Sequence, residues 1–252
     1  VLTRPFEKYK PGFVVSLPPG EFSFRPLYIQ DVYMALKIWE PYLRKTLQSL
    51  LVPGSVFIDV GAHIGYYTVF ASKTVGLNGS VIAIEPDERN CRLLYKNCGH
   101  LKNVLIHQAA AGVKDGTVYL KCMQNPLFNE VANQEEPMDL ICKKVDCITL
   151  DSLKSLVKEK KPLSVIVKID VENGDIEVLQ GGLELLAAIH PVLIIEVVHA
   201  HEIEAILKRF GYKSRQLFGS YWLFTEDDSE PSQIPTPAEQ STTCQQPEIV
   251  NR

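Results

Sequence analysis

Residues 56–68 read VFIDVGAHIGYYT. Val56, Phe57 and Ile58 form a short apolar run, the pattern of a strand buried on both faces. The run closes on an acid, Asp59, and Gly61, Ala62, His63 and Gly65 then make a turn of small residues before a helix expected over 67–75. A strand, a glycine turn and a helix N-terminus in that order place backbone N–H groups beside a crevice and mark a ligand site.

The chemistry of the turn narrows the ligand. The spacing is D-x-G-x-x-x-G, and His63 stands where a dinucleotide fingerprint has its middle glycine. That glycine lets backbone press against a pyrophosphate, so its loss argues against NAD or FAD and favours a ligand without phosphates. Asp59 is suited to a positive charge such as an amino acid's ammonium group. A second acid, Glu85, ends the next apolar run in VIAIEPD, followed by Pro86. A carboxylate there can accept from both hydroxyls of a ribose. A nucleoside joined to an amino acid describes S-adenosylmethionine (SAM).

The chain has 252 residues, 46% of them hydrophobic, enough for one sizeable α/β domain with a globular core. Its formal net charge of −4 gives no global basic footprint for nucleic acid. Pairs such as Lys143-Lys144 and Lys160-Lys161 read as solvated faces. The six cysteines show no C-x-x-C pair and no zinc spacing. No secretory signal is visible, so a reduced, cytoplasmic setting is expected. No apolar run approaches the roughly 20 residues of a membrane helix.

Outward from the turn, residues 1–52 read as an N-terminal lead-in followed by helical segments interrupted at Pro41. Glu40, beside that interruption, is either a solvated acid near a helix start or an active-site acid. After the second strand, residues 87–97 suit a helix and 104–107 a third strand. That strand runs into Gln108-Ala109-Ala110-Ala111-Gly112. Small residues at a strand end either admit a flat adenine ring, which would make Ala109 and Ala110 contacts, or reflect tight packing. Residues 117–122 alternate like an edge strand, 124–139 read as a surface loop or substrate flap, and 145–149 resume strand character. Residues 165–169 form another doubly buried strand closing on Asp170-Val171-Glu172. A helix over 176–189, weakened by Gly181-Gly182, a strand carrying Glu196 and a helix ending at Gly211 follow. A hairpin over 212–225 completes a unit spanning 53–225. Alternating strands and helices of this kind predict a parallel sheet with right-handed crossovers. Residues 226–252, rich in Asp, Ser, Pro, Thr and Gln, read as a disordered polar tail.

His199, His201 and Glu202 spell H-x-H-E, but no third ligand is fixed, so a polar loop is the better reading and no metal site is assigned.

Taken together, VFIDVGAHIGYYT, VIAIEPD, VDCITLDSL, VKIDVENGDIEVLQGG and HPVLIIEVV resemble the FkbM-type SAM-dependent methyltransferase family, in the same order over roughly residues 40–224. The resemblance implies the class I, Rossmann-like fold: a mostly parallel seven-stranded sheet whose last strand is antiparallel, matching the C-terminal hairpin. It assigns Asp59, Gly61, Ala62 and Gly65 to the cofactor turn, with His63 where Asn is common, and Glu85 to the ribose. It places Asp170 and Glu172 at the strand end facing the transferred methyl group. Asn173 stands where the family has Gly, and Gly174 follows, so the turn is expected to survive with its glycine moved by one place.

The activity this predicts is methyl transfer to an oxygen of a small molecule or sugar, with Asp170 or Glu172 accepting the hydroxyl proton. For Asp170 a strand-end capping role is the alternative. A nucleic-acid methyltransferase, a protein methyltransferase and a SAM-binding module without chemistry are the rivals; the acidic composition counts against the first, so no nucleic-acid partner is expected.

Overall fold

The computed structural model describes residues 15–16, 22–121, 130–132 and 142–226. The segment read as a flap, apart from 130–132, and the tail beyond 226 lie outside them.

A short pair, β1 (Val15–Ser16) and β2 (Ser23–Phe24), opens the chain, followed by helices α1 (Ile29–Ala35) and α2 (Pro41–Leu50). Strand β3 (Val56–Val60), helix α3 (Tyr66–Val75), β4 (Ser80–Ile84), α4 (Glu88–Cys98) and β5 (Val104–His107) then form consecutive β–α units. Pairing of β3 with β4 and of β4 with β5 is parallel, as crossover helices require. The chain next builds a side sheet from β6 (Ala110–Ala111), β7 (Gly116–Lys121), β8 (Glu130–Ala132) and β9 (Cys142–Ile148), in the order β6-β9-β7-β8. It returns through α5 (Lys154–Glu159) to β10 (Val165–Ile169), the short helices α6 (Asp175–Gln180) and α7 (Leu183–Ile189), β11 (Val192–Glu196), α8 (Ala200–Lys208), β12 (Lys213–Phe218) and β13 (Tyr221–Thr225).

The main sheet has seven strands in the order β12-β13-β11-β10-β3-β4-β5, with β13 antiparallel to both neighbours. This is the expected fold. The order turns at β3, with β4 and β5 to one side and β10 and β11 to the other. That switch opens a crevice at the carboxyl ends of β3 and β10.

Period-two alternation sorts the side chains between two cores. Val56, Ile58 and Val60 of β3 and Val165, Val167 and Ile169 of β10 pack on the face covered by α5 to α8. Phe57 and Ile166 point to the opposite face, where they meet Leu43, Leu47, Tyr67, Ala71 and Val75. Phe22, Phe24 and Met34 belong to that second core as well, so the N-terminal segment packs on the sheet. Asp59 and Lys168, two residues along from Phe57 and Ile166, are therefore carried to this face.

Three departures from the sequence reading have a local physical cause. Strand β3 runs through Asp59 to Val60, because the Asp59 carboxylate is satisfied inside the sheet. The helix over 176–189 splits at Gly181 into α6 and α7. A Cβ at Gly181 would sit 1.9 Å from the Gly112 carbonyl oxygen, so the break is a close backbone crossing. The left-handed position after Glu172 is Asn173 itself (φ +54°), not Gly174. Asn tolerates that region, so the turn keeps its place without moving the glycine.

Candidate active site

A cavity of about 290 Å³ lies in the crevice, at the lower end of the range for ligand pockets. Its floor is Val60, Gly61, Ala62 and Ile84; Glu85, Pro86, Asn90, Ala109 and Ala110 line one end, and Glu40, Lys168, Asp170, Glu172, Glu196 and Tyr221 the other.

The glycine turn is closed on its neighbours. Gly61 (φ +76°) passes so near β10 that a Cβ would lie 1.9 Å from the Asp170 carbonyl oxygen. The N–H groups of Gly61 and Ala62 both donate to Ile84 O at 3.0 Å, and that of His63 to Glu85 Oε2 at 2.9 Å. These three donors hold the turn to β4 and Glu85, contrary to the expectation that they stand free for a ligand. Gly65 (φ +90°) backs onto Leu94 and Cys98 and does not line the cavity.

Glu85 is 5% exposed and accepts on Oε1 from the N–H of Asp87 (2.9 Å) and from Asn90 Nδ2 (3.1 Å). With His63 on Oε2, its orientation is fixed and Oε2 keeps one lone pair for a ligand hydroxyl. Burial pushes its carboxyl up to about 7. Asn90 in turn accepts from Arg25 (3.0 Å), whose guanidinium also grips Asp31 and donates to His63 Nε2 at 3.0 Å. Because arginine only donates, His63 is held as the Nδ1–H tautomer, and burial lowers it to about 4. The histidine in the turn is thus locked by the N-terminal segment.

At the other end, Lys168 is 1% exposed, with Nζ 3.2 Å from Asp59 Oδ1 and 3.0 Å from Asp170 Oδ2. Burial alone would depress it; Asp170, Asp59 and Glu40 together hold its ammonium above the ordinary lysine range. Asp59 is wholly buried, accepts from Thr68 Oγ1 (2.7 Å) and is not part of the cavity wall. It meets a positive charge, as its position suggested, but that charge is Lys168.

Asp170 sits just past β10 with its side chain 30% exposed to the cavity. Burial raises its carboxyl, but Lys168 and hydrogen bonds from Glu196, Lys168 and Tyr221 outweigh it and hold the group below the ordinary aspartate value. Tyr221 Oη lies 2.9 Å from Asp170 Oδ2 and 3.2 Å from Glu40 Oε1, while Tyr67 donates to Glu40 Oε2 at 2.7 Å. Glu196 accepts from Ser220 Oγ (2.9 Å), and burial beside Asp170 lifts it to about 8.

Lys168, Tyr67, Tyr221, Glu196 and Asn90 were given no site role from sequence. Lys168 carried a signal: a lysine inside the otherwise apolar VIVKI, where only a paired charge is tolerated. His199, read within H-x-H-E, is spent on Asp175 (Nδ1 to Oδ1, 2.9 Å). Among the described residues no group of three His, Cys, Asp or Glu comes together as metal ligands.

The donor set fits SAM on chemical grounds. Glu85 and Asn90 suit a ribose, Ile84, Pro86, Ala109 and Ala110 a flat base, and the acids beyond Gly61 a sulfonium and an ammonium. Lys168, the cation among the described lining residues, is already paired with Asp59 and Asp170.

Residues 59–214 match the model of the methyltransferase FkbM domain. Among curated proteins none matches the chain. Among solved structures, a methyltransferase FkbM from Methylobacillus flagellatus is similar at 18% identity and TM-score 0.45, over 70% of this chain and 47% of that one. This chain thus spans about half the length of that protein. A SAM-dependent O-methyltransferase from Thermotoga maritima is similar at 15% identity and TM-score 0.44 (85% and 77% of the two chains). A putative rRNA-methylase from Clostridium thermocellum is similar at 11% and 0.41 (73% and 92%). Among the described residues no helix is long and apolar enough to cross a membrane.

Proposed function

The chain belongs to the FkbM methyltransferase family, whose methyl donor is SAM, and from that premise we propose that it methylates a hydroxyl of a small molecule, with sugars a fitting class. When bound, SAM supplies an electrophilic methyl group on a sulfonium. The chain's own residues hold the partners in line, exclude water and receive a proton.

Glu85 and Asn90 would hold the ribose, with Pro86, Ala109 and Ala110 around the base. Asp59 and Gly65 contribute by fixing Lys168 and the turn rather than by contact. Gly61, Ala62 and His63 shape the floor. The observation that carries the proposal is Asp170: an ionised carboxylate at the cavity wall, with Oδ2 fixed from two sides by Lys168 and Tyr221. A base so placed removes the proton of a hydroxyl as its oxygen is methylated. Glu172, on the same wall, is the second acid available to the acceptor.

The ionised Asp170 carboxylate on this wall favours a neutral or cationic acceptor over one rich in phosphate, since an anion would have to approach it. The test is transfer of labelled methyl from SAM to panels of hydroxylated small molecules, RNA and protein. Transfer to a hydroxylated compound that Asp170→Asn slows by ~100-fold or more, with SAM affinity retained, is expected. Label entering RNA or protein, or an unimpaired Asp170→Asn, would contradict the proposal.

A further inference from the structure

Two residues at the acceptor end come from outside the matched segment 59–214: Glu40 and Tyr221. Glu40 is set up unusually. It precedes α2 in the left-handed region (φ +39°, ψ 62°), which an L-residue with a side chain occupies at a cost, and its carboxylate does not cap the helix it precedes. A side chain that capped the helix from that position would accept from the first-turn N–H groups. Here it reaches into the cavity and takes two tyrosine hydroxyls instead.

The hydrogens at this cluster do not balance in the resting state. Tyr221 has one hydroxyl hydrogen and two carboxyl oxygens within reach, Asp170 Oδ2 at 2.9 Å and Glu40 Oε1 at 3.2 Å. With both acids ionised, one contact is a hydrogen bond and the other sets lone pair against lone pair. One added proton completes the chain: a protonated Glu40 donates to Tyr221, which donates to Asp170, while Tyr67 donates to the other Glu40 oxygen. The site is built to hold one proton more than its resting complement.

Resting on the O-methylation reading, we propose that Glu40, acting through Tyr221, stores the proton that Asp170 takes from the acceptor. In the transfer, the acceptor oxygen bonds to the methyl carbon, the sulfur–methyl bond breaks with its electron pair left on sulfur, and the hydroxyl proton passes to Asp170. Asp170 then gives a proton to the Tyr221 oxygen as Tyr221 gives its own to Glu40. Asp170 returns ionised, and Glu40 leaves the turnover neutral until solvent removes the proton.

The surroundings set the direction of flow. Lys168 keeps Asp170 a poor resting place for a proton. Burial and the Asp170 charge raise Glu40 to about 7, against the opposing pull of Tyr67, Lys168 and Tyr221. Tyr66 and Tyr67 face Glu40 from α3, Lys168 and Asp170 from β10, Glu196 from β11 and Tyr221 from β13.

The experiment has an arm that needs no acceptor. Infrared titration of the full chain should show, beside the carboxyls of Glu85 and Glu196, one belonging to Glu40 that gains its proton near neutrality. Glu40→Gln should remove it and Tyr221→Phe should move its midpoint. The absence of any such band sensitive to Glu40→Gln would overturn the storage role. With an acceptor in hand, Glu40→Gln, which still accepts from Tyr67, should lower kcat by ~100-fold and leave the SAM Kd unchanged. Tyr221→Phe should do the same, the double variant should lose no more than either alone, and Glu40→Asp should recover part of the rate. Full activity of Glu40→Gln, or loss only in Glu196→Gln, would overturn the proposal while leaving Asp170 as base. An active Asp170→Asn would instead remove the reading beneath it.

Discussion

Lys168 and Asp59 face each other across the paired strands β10 and β3, Nζ 3.2 Å from Oδ1, with both side chains buried. The lysine bridges a carboxylate that belongs to the fold and one, Asp170, that belongs to the cavity. Removing the cation would strand both acids. Lys168→Met should therefore destabilise the protein by about 3–5 kcal/mol, the range for breaking a buried pair, read from the denaturant midpoint. A change below about 1 kcal/mol would mean that the ion pair is spent only on aligning Asp170.

Two glycines with positive φ should respond differently to alanine. Gly61 (φ +76°) has the Asp170 carbonyl where a Cβ would go; Gly76 (φ +66°) has nothing within 4 Å. Gly76→Ala should cost only the strain of a backbone region that is essentially glycine's own (φ +66°, ψ −172°), about 1–3 kcal/mol. Gly61→Ala should cost several times more or prevent folding, because β3 and β10 would have to separate. Equal costs in thermal unfolding would refute the close approach.

Stability should fall as pH rises through neutrality in the absence of ligand. Glu40 and Glu85 stand at about 7 and Glu196 at about 8 in the folded chain, above the 4.5 of a free glutamate. Between those limits the unfolded chain has released protons that the folded chain still holds, so each rise in pH favours unfolding until the folded groups ionise. His63, lowered from 6.5 to about 4, acts with the opposite sign, but only below 6.5. From about pH 6.5 to 8 the carboxyls act in the same direction as His199, which its hydrogen bond to Asp175 raises above 6.5, and the loss from the carboxyls should be of order 1–3 kcal/mol. Glu196→Gln should flatten the slope. A midpoint that rises over this interval would contradict the assignment.

Asn97 ties the N-terminal segment to the turn. Its Oδ1 accepts from the Ser23 N–H at 2.6 Å, and its Nδ2 donates to the carbonyls of Ser23 (3.0 Å) and Ile64 (2.8 Å). Asn97→Ala leaves three buried backbone groups without this partner and should cost about 2–4 kcal/mol in chemical denaturation. It should also speed proteolytic cleavage before Arg25. Unchanged protection would mean that the core contacts of Phe22 and Phe24 hold the segment alone.

The site was legible in sequence where its residues are neighbours along a strand–turn–helix. Gly61, Ala62, His63, Glu85, Pro86, Ala109, Ala110, Asp170 and Glu172 all line the cavity, because each follows a strand of one parallel sheet and strand ends converge. Asp59 was legible as a charge but not as a buried one, since its partner lies 109 positions away on β10. Lys168 was visible as a lysine in an apolar strand, yet period two had to be applied to see that it faces Asp59. The Tyr221–Glu40 contact spans 181 positions and joins two segments with no motif of their own. Only the sheet order, which puts antiparallel β13 beside β11, brings them together. The side sheet was half legible: 117–122 and 145–149 read as strands and correspond to β7 and β9, while β6 and β8 have three residues or fewer, too short for alternation to register.

The most direct test of the account is calorimetric titration of the full chain with SAM, for the wild type and for Glu85→Ala. The account predicts binding to the wild type that the substitution weakens by about 1–3 kcal/mol, the cost of leaving polar partners unmatched in a buried site. A folded wild-type chain that does not bind SAM, or a Glu85→Ala variant that binds it equally well, would contradict the placement of the cofactor at the ends of β3 and β4.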